Sequence, residues 1–352
     1  MRQFLKASAL LASAALALTA CGGTGGSAES GADDPLIVYT NSNGDGRAEW
    51  LTEQAAEAGF EIEVVGQGGG DTTNKILAEA GNPVADVVFG LNHVYFNQLV
   101  DADTIEPYTP EWSEEIDPEL GDASGDGNYW PLVQQAILLT YDADRIDAAD
   151  APSDWLDLWN DPAYAGKYQS EQGMGAATIQ IVMSGILTRY ADPEGEMGIS
   201  EEGWAEVEKY FSEGNPAVPD VDAYQRIVDG EIDYAQQASS GIPGKEEAFG
   251  FEVGVVEPEV GVPFVVEQVG IVKGTDQLEG SQDFIDWFGS AEVQAEWSGE
   301  FDSMPVNQGA IDQADPSIVE FHEGLTRQDI DWEFVTENLG GWVEKIELEY
   351  VG

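Results

Sequence analysis

Small polar loops are the segments of this sequence best suited to bind a ligand. Three of them follow predicted strands in the first hundred residues, and a fourth loop and a cluster of amides and hydroxyls follow later in the chain. Their candidate ligand-binding residues are Thr40, Asn41, Ser42, Gln67, Gly68, Gly69, Gly70, Asp71, Thr72, Asn92, Gln172, Gly173, Met174, Gly175, Ala176, Gln237, Ser239 and Ser240. Glycine at a helix start lets a ligand approach free backbone N–H groups, where the helix dipole favours an anionic or carbonyl-bearing group. A tight turn has the same composition, so the convergence of several loops is what favours a binding cleft.

Two side chains outside these loops join the candidate set. Glu267, like Asp71, is an acid that could balance the cationic end of a ligand, and Tyr224 is an aromatic that could stack on one. No cluster of arginines accompanies the loops in the sequence. We therefore expect a zwitterionic or cationic solute, such as an aminophosphonate or thiamine, rather than a polyanion.

The sequence lacks the known patterns of catalytic and metal sites. It has no G-x-S-x-G motif, and the segment 241–245 lacks the spacing of a phosphate-binding P-loop. His93 and His322 are far apart and have no partner with the spacing of a zinc site. The loops at 41–46 and 122–127 begin like calcium loops but have no glutamate at the twelfth position. We expect no catalytic residue, no metal and no cofactor.

The first residues have the pattern of a bacterial lipoprotein signal. Residues 1–20 contain a basic start and an apolar run, 7–18, too short to span a bilayer, and Leu-Thr-Ala precedes Cys21. Cys21 is the only cysteine, so it is free for lipidation after cleavage. The small and polar residues 21–34 form a tether. We expect a protein anchored by lipid on the extracytoplasmic face of the cell membrane; an ordinary secretory signal with a chance cysteine is the alternative.

The charge of the chain is strongly negative. The formal net charge is −55, and removal of residues 1–20 takes away Arg2 and Lys6 but no acid, which makes it −57. A hydrophobic content of 42% and ten tryptophans indicate a folded body, so the acids must cover its surface. Such a surface repels nucleic acid and anionic lipid, and its self-repulsion is screened by salt. This favours a source organism adapted to high salt over one that lives at moderate salt and has acidic proteins.

Alternating apolar strands and helices must position the candidate loops. The first half reads as strand 36–39, helix 47–59, strand 62–65, helix 72–80 and strand 84–89. Short apolar runs separated by helices indicate a parallel sheet covered on both faces, with ligands beyond the carboxyl ends of its strands.

A second α/β series begins near Leu138. Its predicted elements are strand 167–169, a helix up to about 190, helices 204–213 and 223–229, strand 232–235, strand 262–273, helix 281–297 and a helical tail, 316–350. The length of the body suggests two domains.

Five segments resemble the extracellular solute-binding proteins of bacterial ABC importers. They are Ile37-Val38-Tyr39-Thr40, Asn82-Pro83-Val84-Ala85-Asp86-Val87-Val88-Phe89-Gly90, Thr140-Tyr141-Asp142, Asp229-Gly230-Glu231-Ile232-Asp233 and Met304-Pro305-Val306-Asn307. The resemblance covers nearly the whole body and is to the type II group that includes ferric-ion, thiamine and aminoethylphosphonate binders. Ferric members carry adjacent tyrosines where this chain has Ser240-Gly241. Gln134, followed by Gln135, stands where thiamine binders have an acidic residue, which makes it a further candidate.

The resemblance implies an α/β, two-lobed periplasmic-binding-protein type II fold, each lobe a mostly parallel sheet flanked by helices. Lobe 1 is then expected at 35–138 and 262–304, and lobe 2 at 139–261 and 305–352. Hinges are expected near 138–141 and 261–264.

The resemblance also implies a function and partners. It indicates a monomeric, membrane-anchored receptor that captures a small polar solute between its lobes and delivers it to ABC permease subunits. A ferric-ion receptor of the same group, a lipid-anchored hydrolase that uses paired carboxylates, and an adhesive surface lipoprotein are the alternatives. With 68 acids in the chain, carboxylate pairs alone carry no information.

Overall fold

The computed structural model describes residues 34–351, and Pro35–Gly352 form one compact unit. The expected signal, Cys21 and nearly all of the tether lie outside the described residues. The strands are β1 (Leu36–Thr40), β2 (Ile62–Gly66), β3 (Val87–Phe89), β4 (Ile105–Glu106), β5 (Trp130–Asp142), β6 (Gln169–Ser170), β7 (Ala191–Glu196), β8 (Asn215–Pro216), β9 (Tyr234–Ala238), β10 (Val253–Val256), β11 (Phe264–Val272) and β12 (Met304–Pro305).

Thirteen helices surround these strands in the described part of the chain. They are α1 (Arg47–Ala58), α2 (Gly69–Glu79), α3 (His93–Asp101), α4 (Asp157–Asn160), α5 (Ala177–Leu187), α6 (Glu201–Glu213), α7 (Ala223–Asp229), α8 (Ile242–Phe249), α9 (Leu278–Phe288), α10 (Ala291–Phe301), α11 (Gln308–Ile311), α12 (Pro316–Gly324) and α13 (Trp332–Glu349). None of the helices in residues 34–351 is long and apolar enough to cross a membrane.

The first sheet has the order β2-β1-β3-β11-β5. β1 lies parallel to both β2 and β3, with Val38 opposite Val64 on one side and Val87 on the other. The predicted strand-helix-strand-helix-strand unit is therefore confirmed. Strand β11 returns from late in the sequence and pairs antiparallel with β3 and β5. The carboxyl ends of β1, β2 and β3 meet at one edge, where the loops to α1, α2 and α3 begin.

Strand β5 joins two halves of the molecule. The first half is built on β1, β2, β3 and β11, and the second half contains β6, β8, β9 and β10. Its first residues, up to Ala136, pair with β11, and from Ile137 onward it pairs antiparallel with β9 and β10. The backbone N–H of Ile137 donates to the carbonyl of Pro263 (2.9 Å) at this change of partner. The change lies close to both expected hinges, and the lobe boundaries expected from the sequence remain predictions.

The second half of the molecule combines both strand directions. β9, β5 and β10 are antiparallel, whereas β6 and β8 are parallel and join β9 through a parallel bridge from Tyr168 to Tyr234. Helix α5 lies in the core of this half, and nine of its eleven residues are buried. Helix α13 packs on both α3 and α5, so the tail contacts both halves.

Three predicted elements differ from the structure. The helical tail 316–350 is two helices, α12 and α13, separated by residues 325–331. The predicted helix 281–297 is wrong because it is two helices, α9 and α10, separated at Gly289 and Ser290. The Trp112 ring packs onto Gly289, where a Cβ atom would lie 2.1 Å from the ring, and Ser290 caps α10 by accepting from the N–H of Val293. The predicted strand 232–235 lies at Tyr234–Ala238, which places Gln237 within the strand rather than after it.

Candidate functional site

A polar pocket of about 300 Å³ lies between the first sheet's loops and the second half of the molecule. Its volume is at the lower end of the range for small-molecule sites. The residues that line it are Asn41, Ser42, Gly44, Asp45, Arg47, Gly90, Asn92, Gln135, Ile137, Ala177, Thr178, Ile181, Gln237, Ala238, Ser240, Gly241, Val265 and Glu267.

Arg47 supplies the positive charge of the pocket. It is the first residue of α1 and follows Gly46, whose left-handed conformation (φ 84°) suits glycine. The arginine is only 9% exposed; its guanidinium lies 4.8 Å from the centre of the Phe301 ring and donates to Ser240 Oγ (3.2 Å). Its one carboxylate within 4.0 Å in residues 34–351 is the exposed Asp45, at 3.4 Å. The sequence reasoning did not single out Arg47, although its place at the end of a candidate loop was a usable signal.

Glu267 supplies a negative charge from strand β11. Gln135 Nε2 donates to Glu267 Oε1 (3.3 Å), whereas the buried Oε2 accepts no hydrogen bond within the described chain. Burial raises the pKa of this carboxyl, and the nearby charge of Arg47 and the side chains of Ser42 and Gln135 partly oppose the increase.

The asparagines of the two first-sheet loops have different roles. Asn92 caps α3, because its Oδ1 accepts from the N–H of Tyr95 (3.2 Å). Asn41 Oδ1 is buried and has no donor among residues 34–351. Thr40, which lies below the loop, accepts from the N–H of Ser42 (2.9 Å) and so shapes the loop without lining the pocket.

The opposite wall comes from α5, the end of β9 and the turn that follows it. No side chain caps the start of α5, where Ala177 and Thr178 line the pocket. Ser239 lies just behind this wall; its hydroxyl donates to Gln135 Oε1 (3.2 Å), accepts from the N–H of Ala136 (3.1 Å) and lies 2.9 Å from His322 Nε2. Ser239 therefore positions the wall, whereas Gln237 and Ser240 face the pocket.

The two glycine-bearing loops meet each other rather than the pocket. A Cβ atom on Gly68 would lie 3.3 Å from the carbonyl oxygen of Gly175, so loops 67–72 and 172–176 are in contact. Beside them the Tyr95 hydroxyl donates to Gln180 Oε1 (2.7 Å), and Gln180 Nε2 donates to the carbonyl of Met174 (2.6 Å). We call this contact region the loop seam. The structure brings the predicted loops together, but neither lines the 300 Å³ pocket.

Two predicted residues lie elsewhere. Gln134 lines a separate cavity with Met304, because neighbouring residues of a strand face opposite sides of a sheet. Tyr224 is 1% exposed, and its hydroxyl lies 2.8 Å from Thr140 Oγ1 in the core of the second half. Stacking on a ligand is not available to Tyr224 in this position.

The described residues contain no cluster of three histidine, cysteine, aspartate or glutamate side chains that could hold a metal ion. His93 is partly buried and His322 is buried. Burial lowers the pKa of His93 to about 4, and His322 packs against Phe264 and Phe321.

Sequence and structure comparisons place the chain in a family. Residues 49–320 match the family model described as "Bacterial extracellular solute-binding protein". The chain is 34% identical over 320 residues to the "Probable ABC transporter periplasmic-binding protein" of Sinorhizobium fredii, with 90% of this chain and 86% of the relative covered. The chain belongs to the bacterial extracellular solute-binding proteins.

Solved structures of similar fold agree with this family. AfuA of Actinobacillus pleuropneumoniae, solved with fructose-6-phosphate bound, has a TM-score of 0.72 at 18% identity and covers 90% of this chain and 98% of its own. Iron-bound HitA of Pseudomonas aeruginosa has a TM-score of 0.71 at 17% identity and covers 90% and 99%. The α/β, two-lobed binding-protein fold expected from the sequence is confirmed.

Membership of the family sets the general role of the protein. It is the extracytoplasmic substrate-binding component of an ABC importer, which binds a small solute and interacts with the membrane permease. It is not an enzyme, so the hydrolase alternative is wrong.

Proposed function

We propose that this receptor captures a small solute that carries an anionic group, and that Arg47 binds that group. The observation that carries the proposal is a nearly buried guanidinium in the pocket whose only carboxylate within 4.0 Å in residues 34–351 is exposed. Arginine binds phosphonate, phosphate and carboxylate groups through charged hydrogen bonds. The chain has only 13 basic residues against 68 acidic ones. A buried arginine in the pocket is therefore better explained by an anionic ligand than by a surface ion pair.

The start of α5 adds to the attraction for an anion. Its backbone N–H groups lack a capping side chain, and Thr178 adds a hydroxyl at the same wall of the pocket. AfuA, which has the same fold, was solved with a sugar phosphate. These features favour an aminophosphonate or a similar small anion over thiamine, which has no anionic group for Arg47.

Arg47→Met tests this proposal. Titration calorimetry with 2-aminoethylphosphonate should show binding to the parent protein and a loss of at least about tenfold in affinity in the variant, the size expected when a charged hydrogen bond is removed. Arg327→Met is the matched control, because it removes the same charge from an arginine that lies 4.5 Å from the centre of the Phe264 ring and does not line the 300 Å³ pocket. Equal affinities in Arg47→Met and Arg327→Met would contradict the proposal.

A ferric-ion receptor has less support from the site. No tyrosine lines the pocket, no metal-binding cluster occurs in residues 34–351, and Ser240-Gly241 stands at the position of the ferric tyrosines. HitA, which was solved with iron, shares only the fold at 17% identity. Addition of ferric citrate should therefore give no visible tyrosinate absorption band, and the appearance of such a band would restore this alternative.

We also propose a lipid anchor at Cys21 and a monomeric receptor. The support is the apolar run before Leu-Thr-Ala-Cys and the polar tether that follows it. Replacement of Cys21 by Ser should move the protein from the membrane fraction to the soluble extracytoplasmic fraction. A variant that stays bound to membranes would show that the anchor lies elsewhere.

A further inference from the structure

Two buried acceptor atoms in the pocket lack a hydrogen-bond donor. They are Glu267 Oε2 and Asn41 Oδ1, and neither has a partner in the part of the chain that the structure describes. Both residues line the same cavity. Buried acceptors are nearly always satisfied in folded proteins, so a pair of unsatisfied ones in a binding pocket points to donors on the ligand.

The amide, backbone and guanidinium donors near these atoms are already engaged, and the hydroxyl of Ser42 is the remaining donor beside Glu267. Gln135 Nε2 donates to the other oxygen of Glu267, and the N–H of Ser42 donates to Thr40. The guanidinium of Arg47 donates to Ser240, Asp45 and the carbonyl of Gly44, and no ion pair joins it to Glu267.

The alternation of side chains along β11 places Glu267 in the pocket. The pairing with β5 shifts register between Glu267 and Gln268, and Leu132 of β5 is the residue left without a partner on β11. Gln268 turns the other way, where its Nε2 donates to the carbonyl of Leu120 (2.7 Å). The strand thus presents one carboxylate to the cavity, two residues after Val265 on the same face.

We propose that Glu267 is a specificity-determining residue that selects solutes with a protonated amine. The amine would donate to Glu267 Oε2 and Asn41 Oδ1 while the anionic group of the same solute binds Arg47. This inference rests on the proposed function, and it narrows the ligand class from small anions to small zwitterions.

Matched pairs of compounds test the selection. Each pair shares one anionic group and differs only in the amine: 2-aminoethylphosphonate with ethylphosphonate, phosphoethanolamine with ethyl phosphate, and β-alanine with propionate. Calorimetry on the soluble Cys21→Ser protein at neutral pH should show at least about tenfold tighter binding of the amine-bearing member of a pair. Glu267→Gln keeps the size of the side chain and should reduce that ratio to about one, while the affinity for the amine-free member stays the same or rises.

Glu63→Gln is the matched control, because Glu63 is exposed on β2 and its change removes an equal charge. A parent protein that binds amine-free and amine-bearing members equally would overturn the selection by Glu267 and leave the anion site intact. An unchanged ratio in Glu267→Gln would also overturn it. If no compound of any pair binds the parent, the proposed anion-binding function itself fails. Asn41→Ala keeps the carboxylate and should lower the ratio to a smaller extent. This second variant tests the proposal if Glu267→Gln does not fold.

Discussion

Arg47 and Glu267 bring opposite charges to one small pocket without neutralising each other. Arg47 donates to Ser240 and Asp45, whereas the neutral groups Gln135 and Ser42 are the donors beside Glu267. A carboxylate in this position loses hydration without gaining an ion pair, which destabilises the folded protein. Binding residues often reduce stability in this way, because they are arranged for a ligand that is absent during folding.

Replacement of Glu267 by Gln should therefore raise the free energy of unfolding at neutral pH. Burial raises the pKa of Glu267 above its ordinary value of 4.5 in the folded state, so the folded protein binds the proton more tightly than the unfolded chain. The protonated carboxyl contributes stability below pH 4.5, and this contribution is lost as the pH rises through the folded-state pKa. Urea denaturation should accordingly show that Glu267→Gln gains more free energy of unfolding over the parent at pH 7 than at pH 4.

The exposed Glu63→Gln variant provides the reference for the change in net charge. The gain in free energy of unfolding of Glu63→Gln over the parent should be smaller than that of Glu267→Gln. If Glu267→Gln is less stable than the parent at pH 7, the hydrogen bond from Gln135 outweighs the desolvation of the carboxylate.

Sequence reasoning located part of the pocket and missed its cation. The predicted residues that line the pocket are Asn41, Ser42, Asn92, Gln237, Ser240 and Glu267. Arg47 was missed because its burial depends on the left-handed turn at Gly46 and on the ring of Phe301, which is distant in sequence. A basic residue at a helix start usually lies in solvent, so its place at the end of a candidate loop was the one local signal that it could face the pocket.

At the scale of elements, the loop seam joins α3 to α5. The hydrogen bond from Tyr95 to Gln180 links elements of the two halves, and the carbonyl of Met174 holds the amide of Gln180 in place. Neither Tyr95 nor Gln180 lines the 300 Å³ pocket. The seam therefore links the two halves beside the pocket, and we expect it to form when the lobes close on a ligand.

Tyr95→Phe should weaken the binding of all ligands to a similar extent. Loss of the hydroxyl removes one hydrogen bond between the halves, worth about 0.5–1.5 kcal/mol, or roughly two- to tenfold in affinity. The ratio between amine-bearing and amine-free compounds should stay as in the parent, because Tyr95 does not line the pocket. Calorimetry on the phosphonate pair measures both quantities, and a changed ratio would mean that the seam contacts the ligand.

The break between α9 and α10 shows what local sequence could not reveal. Apolar periodicity continues through 281–297 and predicts one helix, but the Trp112 ring from another segment occupies the space beside Gly289. The strands and helices around β1 to β3 were predictable because each is marked by its own apolar run. The position of a break depends on a packing partner far away in sequence.

Gly289→Ala should destabilise the protein by about 1–3 kcal/mol, the usual cost of an overpacked site. The added Cβ atom would lie 2.1 Å from the Trp112 ring. Gly299→Ala is the matched control: it lies within α10 with open space around it and should be neutral or stabilise by up to about 1 kcal/mol. Thermal unfolding of both variants measures the difference, and equal midpoints would contradict the packing argument.

At the scale of the whole molecule, the acidic surface makes a covalent anchor important. A chain that has a formal charge of −57 after removal of residues 1–20 is repelled by anionic lipid and does not adsorb to a membrane through charge. The described residues also include no helix that could span a bilayer. Lipid attached at Cys21 would hold the receptor near its permease without any contribution from the surface of the folded body.

The same charge leads to a prediction for stability in salt. Sixty-eight acids repel one another more strongly in the compact state than in the unfolded chain, and salt screens this repulsion. The thermal midpoint of the soluble Cys21→Ser protein should therefore rise between roughly 0.1 M and 2 M potassium chloride; the Debye length falls from about 10 Å at 0.1 M to about 3 Å at 1 M. Most of the increase should occur below about 1 M, where screening changes most.

Sodium perchlorate separates screening from a general strengthening of hydrophobic burial. Both salts screen charge equally at the same ionic strength, but perchlorate does not promote burial by exclusion from the protein surface. A midpoint that rises in both salts at low concentration supports charge repulsion as the cause. A midpoint that rises only in potassium chloride would assign the effect to burial, and a flat or falling midpoint in both would contradict adaptation of this surface to salt.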